Sequence, residues 1–201
     1  MKFLPVLFSL ILLNTLLASA QLQVITHDDF ETVIPYLQRE DFKGAFEKTR
    51  ELITTTRDDS SDVRGIVIYM NIFSAAGMVT QDLMTHDDFL TNAYTHIGQR
   101  IVMPAHPCVD SSSLVYNTLK FITYEGKTQG LTVTANKART NILLYEYFDY
   151  SRAINQDVYI GKNVRSGGRL RSIEVNPNKS KVWIARLHIT NAWVRLPTAR
   201  N

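Results

Sequence analysis

The sequence predicts an α+β protein, with a helical, repeat-like N-terminal half followed by an antiparallel β barrel or sandwich. Three observations carry this expectation. Between Gln21 and Ala105 apolar residues recur three and four positions apart, the period of an amphipathic helix. Beyond His106 they recur at every second position, in short runs rich in Val, Ile, Tyr and Trp bounded by Gly, Asn and Pro. The charge reverses at the same place: 7 Lys/Arg face 13 Asp/Glu from Gln21 to Ala105, against 14 and 6 from His106 to Asn201. Such asymmetry points either to an anionic partner for the second half or to two halves that attract each other.

Met1-Lys2, an apolar run from Phe3 to Leu17 and the small residues Ala18-Ser19-Ala20 describe a secretory signal cleaved after Ala20. The run is short for a spanning helix, which needs ~20 apolar residues. The expected layout is a signal peptide over 1–20, a helical domain over 21–105, a linker over 106–113 and an antiparallel β domain over 114–201. That layout implies a secreted or periplasmic protein with no transmembrane segment once the signal is removed. Cys108 stands alone, so no intramolecular disulfide forms, and its expected role is that of a small buried hydrophobe, with a reactive thiol as the alternative.

Thr26-His27-Asp28-Asp29-Phe30 opens the first helix, with Phe30, Val33, Ile34 and Leu37 on one face. Thr caps it, and the aspartates complement the free N–H groups of the first turn. Pro35 would cost ~3 kcal/mol in a helix interior, so this helix is expected to kink or split. Asp41 caps a second helix, where Phe42, Ala45, Phe46, Thr49, Leu52 and Ile53 share a face. Ser61 or Asp62 starts a third, apolar nearly all round and therefore the expected centre of this half. Thr85-His86-Asp87-Asp88-Phe89 repeats the opening motif and begins a fourth segment carrying Phe89, Ala93, Ile97 and Ile101. The repeat is read as cap chemistry used twice rather than as a metal site built from two His-Asp pairs.

With Asp41-Phe42-Lys43-Gly44-Ala45 opening one helix and Phe73-Ser74-Ala75-Ala76-Gly77 closing the next, the stretch from Asp28 to Met103 resembles tetratricopeptide-type repeats. That resemblance implies a groove for a peptide or partner protein, and no catalysis.

Past the junction, Val115–Tyr124, Leu131–Ala135 and Asn141–Phe148 read as strands, the last a nearly continuous apolar run suited to the sheet centre, with one amphipathic helix as the alternative for so short a run. Runs around Val158, Leu170 and Trp183 bring the expected strands to about six. Gly167-Gly168 and Asn176-Pro177-Asn178 are read as the turns of two successive hairpins. Along Lys181–Ile189, the residues Trp183, Ala185, Leu187 and Ile189 share a core face, with Arg186 and His188 opposite. Val182 and Ile184 suggest that the start of this strand is covered on both sides.

The candidate ligand-binding residues are Lys162, Arg165, Arg169, Arg171, Lys181, Trp183 and Arg186, a basic aromatic surface on the hairpins. Guanidinium forks pair with oxyanions, and rings stack on sugars or bases. The competing bland reading is that these charges keep edge strands soluble. Export argues against nucleic acid and favours an anionic glycan, an envelope lipid or a protein partner. No cofactor or metal is expected: His96, His106 and Cys108 lack the paired spacing of zinc motifs. No Gly-x-Ser-x-Gly elbow or phosphate-cradling loop occurs, and no catalytic residue is assigned. Glu146 and Asp149 form the one conceivable acid–base pair. Asn178-Lys179-Ser180 is a formal glycosylation acceptor. The expected function is therefore exported, non-catalytic binding or scaffolding. The alternatives are a secreted hydrolase or transferase whose residues converge only in space, and a structural subunit of an envelope assembly.

Overall fold

The computed structural model describes residues 23–110, 112 and 115–197, so the expected signal peptide lies outside the described residues. The helices begin where side chains satisfy free backbone donors. Thr26 Oγ1 accepts from Asp29 N at 3.2 Å, and the Asp29 carboxylate accepts from Thr26 N at 2.8 Å, a capping box that opens α1 (His27–Glu31). Pro35 does split the segment: α2 (Ile34–Arg39) starts afresh with Pro in its first turn, where no donor is lost. Asp41 caps α3 (Phe42–Thr55), and Ser61 caps α4 (Asp62–Thr80). Arg64, 5 % exposed, terminates α3 from the side: its guanidinium donates to Thr56 Oγ1 at 3.0 Å and to the carbonyls of Arg57 and Ile53.

Thr85 caps α5 (His86–Tyr94), which ends earlier than its four-residue spacing suggested. The chain turns at Gly98 (φ 84°), and Ile101 is buried not on a helix but in β1 (Arg100–Val102). There, pairing with the sheet satisfies the backbone and removes Ile101 from water together.

Six further strands follow: β2 (His106–Pro107), β3 (Leu119–Tyr124), β4 (Lys127–Ala135), β5 (Ile142–Tyr150), β6 (Asn163–Val175) and β7 (Trp183–Arg195). Their order is β1-β6-β7-β5-β4-β3, with β2 also on β6. The expected closed antiparallel barrel, or sandwich, is corrected to one open, mixed sheet, because β5 and β7 run parallel. The cause is the connection after β5. The Val158 run, expected as a strand, coils into a 3₁₀ turn (Gln156–Val158) and carries the chain past the neighbouring position. β6 is laid down one strand away, and β7 folds back into the gap.

The turns also separate from expectation. Glu125 (φ 48°) and Gly126 (φ 74°) form the two-residue hairpin turn that mirror-image geometry requires. Asn176–Lys179 turns β6 into β7, with Asn176 Oδ1 accepting from Asn178 N at 3.1 Å. Gly167-Gly168, by contrast, is no turn; both residues lie inside β6 without positive φ. They are there for space: a Cβ on Gly167 would sit 2.7 Å from Trp193 Cζ2, and one on Gly168 2.8 Å from the Thr190 carbonyl.

One hydrophobic cluster joins the two halves, running from Phe42 and Phe46 through Ile72 and Phe89 to Phe148, Leu187 and Ile189. Ile184 is fully buried as well, whereas Val182 is exposed, so only part of the β7 start is covered on both sides. Charge follows the same seam: Lys179 meets Asp87 (2.8 Å), Lys181 meets Asp82 (2.5 Å), and Arg100 meets Asp62 (2.6 Å). The two exposed pairs, Lys179–Asp87 and Lys181–Asp82, contribute only ~0–1 kcal/mol each, so the apolar seam does most to hold the halves together.

Candidate functional site

The seven basic and aromatic candidates do not form one surface. Lys181 is neutralised by Asp82. Lys162 Nζ donates to the Val158 carbonyl at 2.7 Å, within its own loop. Trp183 lies under the Arg186 guanidinium (4.6 Å) and edge-on to Tyr145 (6.0 Å), while Tyr147 stacks on His188 at 5.2 Å. Arg171 is exposed and makes no ion pair among the described residues. Lys179 and Lys181 border a cavity of about 460 Å³ with Asp82, Asp87 and Asp88, where carboxylates compensate both ammonium groups.

Arg165 and Arg169 behave differently. Arg165, Gly167 and Arg169 alternate onto one face of β6. Trp193 stands opposite Gly167 and lies over it, using the space that the missing side chain leaves. Arg195 stands opposite Arg165, and Arg100 of β1 opposite Arg169. The Arg195 and Arg100 guanidinium carbons lie 4.4 Å and 5.2 Å from the Trp193 ring centre. Arg100 and Arg195 thus lie against the indole, with Arg169 and Arg165 opposite them across the strands, and among the described residues the only carboxylate bound to these four is Asp62, at the N-terminus of α4, which takes both Arg100 and Arg195. Arg169 also donates to the Gly98 carbonyl.

This arrangement works against stability. Like charges directly opposite on neighbouring strands repel, and the registers Arg165–Arg195 and Arg100–Arg169 create two such pairs. Several donors are left over: the Nε groups of Arg165 and Arg100 and the Trp193 Nε1 are buried without a partner. A cavity of about 330 Å³ beside the cluster is lined by Arg100, Arg169, Gly98 and Gln99, by the Asp58–Ser60 loop and by Ile68.

A second polar site lies inside the core. Glu146, on the central strand, is wholly buried. Its Oε1 accepts from Tyr69 OH of α4 at 2.8 Å, and the same hydroxyl lies 3.3 Å from Thr134 Oγ1. Burial pushes the Glu146 carboxyl up to about 8, outweighing the Tyr69 and Thr134 hydrogen bonds that favour ionisation. Burial likewise raises the Tyr69 phenol, and the Glu146 charge reinforces it. Glu146 is therefore a neutral acid at pH 7, clamped between helix and sheet. It is not paired with Asp149, which accepts from Gln129 Nε2; Arg186 and His188 alternate onto the face opposite Leu187, Glu146's register partner. No group of three or more metal-binding side chains occurs among the described residues. His96 and His106 are each held near 4 by burial.

No protein-family model, curated protein or solved structure matches the chain. The site therefore rests on its own chemistry. Of these four arginines the sequence singles out Arg165 and Arg169 and leaves Arg100 and Arg195 unmarked. The signal was present as Arg-x-Gly-x-Arg and Trp-x-Arg, both with a two-residue period, and was hidden once Gly167-Gly168 was read as a turn.

Proposed function

We propose that this chain is an exported, non-catalytic binding protein that takes an oxyanion of its partner on the arginine cluster around Trp193. The observation that carries the reading is the pairing of four arginines as two like-charged cross-strand pairs, of which only Arg100 and Arg195 meet a carboxylate, Asp62, among the described residues. A cluster of that kind costs stability in the free protein, and a bound phosphate, sulfate or carboxylate relieves the cost. Guanidinium forks bind such groups through two parallel hydrogen bonds.

Retention on a sulfated polysaccharide matrix across a salt gradient tests this. Arg165→Glu with Arg169→Glu is expected to abolish retention. Arg171→Glu with Arg186→Glu changes the net charge equally and is expected to shift elution only slightly. Equal losses in the two variants would reduce the effect to net charge, and an unretained native protein would overturn the reading outright.

A further inference from the structure

We infer that β3 is a self-association edge: it pairs antiparallel with β3 of a second copy of this chain, about a twofold axis through Ile122. β3 ends the sheet, with β4 as its only strand partner among the described residues. A two-residue turn closes on a hydrogen-bonded pair, here Tyr124 with Lys127, and such pairs alternate along an antiparallel ladder. The backbone groups of Lys120, Ile122 and Tyr124 therefore point at β4, and those of Leu119, Phe121 and Thr123 point away. The Leu119 carbonyl agrees, accepting from Val109 N at 2.9 Å on the outer side. Phe121 and Thr123 have no backbone partner there among the described residues, and neither Pro nor a bulge shields them.

These free groups select the register. With the axis at Ile122, the Phe121 N–H donates to the carbonyl of the partner's Thr123. The N–H of the partner's Thr123 donates to the Phe121 carbonyl, and the axis repeats both bonds. Centred on Phe121, the pairing would bring Thr123 to the partner's Leu119, whose carbonyl is already taken. Centred on Thr123, it would carry Phe121 past the strand end to the partner's Glu125, in its turn. Side chains favour the same register. Ile122 meets the partner's Ile122, and Lys120 falls opposite the partner's Tyr124, a residue 57 % exposed in the single chain. The partner's Glu125 comes next, so Lys120, the one charged residue of β3, approaches a ring and an acidic turn rather than its own copy. Phe121 lies on the other face against Tyr150 (6.0 Å) and Tyr159 (6.2 Å), which holds the edge in place before it pairs. The arginines around Trp193 sit on β1, β6 and β7, towards the opposite end of the sheet, so this inference stands apart from the oxyanion reading.

Sedimentation equilibrium of the whole chain from about 10 µM to about 1 mM tests it. A contact this short falls below the ~20–30 residues a side of a standard interface, so a weak dimer is expected within that range. Ile122→Lys and Ile122→Glu each set like charges face to face and are expected to weaken it ~10-fold or more. An equimolar mixture of the two variants is expected to restore it, because Lys then faces Glu. Ile122 is half-buried and outside the core clusters, so both variants are expected to keep the native thermal transition. Val182→Lys, at an exposed apolar residue outside β3, is expected to leave association unchanged. A chain monomeric throughout the range would overturn the inference and leave the edge to a strand of another protein. So would folded variants that stay apart when mixed, a dimer that survives both Ile122 substitutions, or one that Val182→Lys weakens equally.

Discussion

Glu146→Gln is expected to remove a loss of stability that the native protein suffers as pH rises through the middle of the range. The buried carboxyl is raised from 4.5 to about 8, so between those values the folded chain holds a proton that the unfolded chain has released. Stability from this group is fully present below pH 4.5 and falls as pH rises toward 8. The slope approaches ~1.4 kcal/mol per pH unit, and the whole window amounts to a loss on the order of 4–5 kcal/mol. Gln keeps the length of the side chain and an oxygen for Tyr69 OH, but it does not titrate. Urea unfolding at pH 5, 6, 7 and 8 reads the difference directly. The variant is expected to gain on the native protein at each step and to be the more stable of the two at pH 8. Parallel curves across the range would mean that Glu146 is ionised or hydrated in the folded state, and the buried-acid description would fail.

Two further perturbations probe the packing. Gly167→Ala places a Cβ 2.7 Å from the Trp193 ring and 2.8 Å from the Ile101 carbonyl, so the indole must move. Thermal unfolding is expected to show a loss of ~1–3 kcal/mol, together with a change in Trp fluorescence; neutrality would mean that the indole does not lie over β6. The Cys108 thiol is buried and pushed up to about 11, so a soluble disulfide reagent is expected to label it only on unfolding. Rapid labelling of the native protein would contradict its place in the core.

The helical half was the more legible part of the sequence. Thr26, Asp41, Ser61 and Thr85 cap by local chemistry, and Pro35 acts within one turn, so nothing distant overrides them. The α5 boundary failed because Ile97 and Ile101 keep helical spacing while a partner strand, invisible to any local window, claims Ile101 for β1. The same blindness misplaced Gly167-Gly168. A glycine pair that admits a turn also admits the close approach of a tryptophan from a strand twenty-six residues on, and only the fold decides between them. The alternation of Thr with apolar residues in β4 was plain, but not that Thr132 and Thr134 turn inward. Thr134 joins Glu146 through the Tyr69 hydroxyl, 3.3 Å from its Oγ1, whereas Thr132, directly opposite Glu146, has its hydroxyl buried without a partner among the described residues.

The arginine cluster is most directly tested by the thermal stability of the variant carrying Arg165→Glu and Arg169→Glu, measured without ligand. Each substitution turns a like-charged cross-strand pair into an opposite-charged one. A gain of roughly 0.2–1 kcal/mol per pair is expected, even as retention on the sulfated matrix disappears. A variant that is less stable and still retained would show that these arginines support the fold, not a ligand.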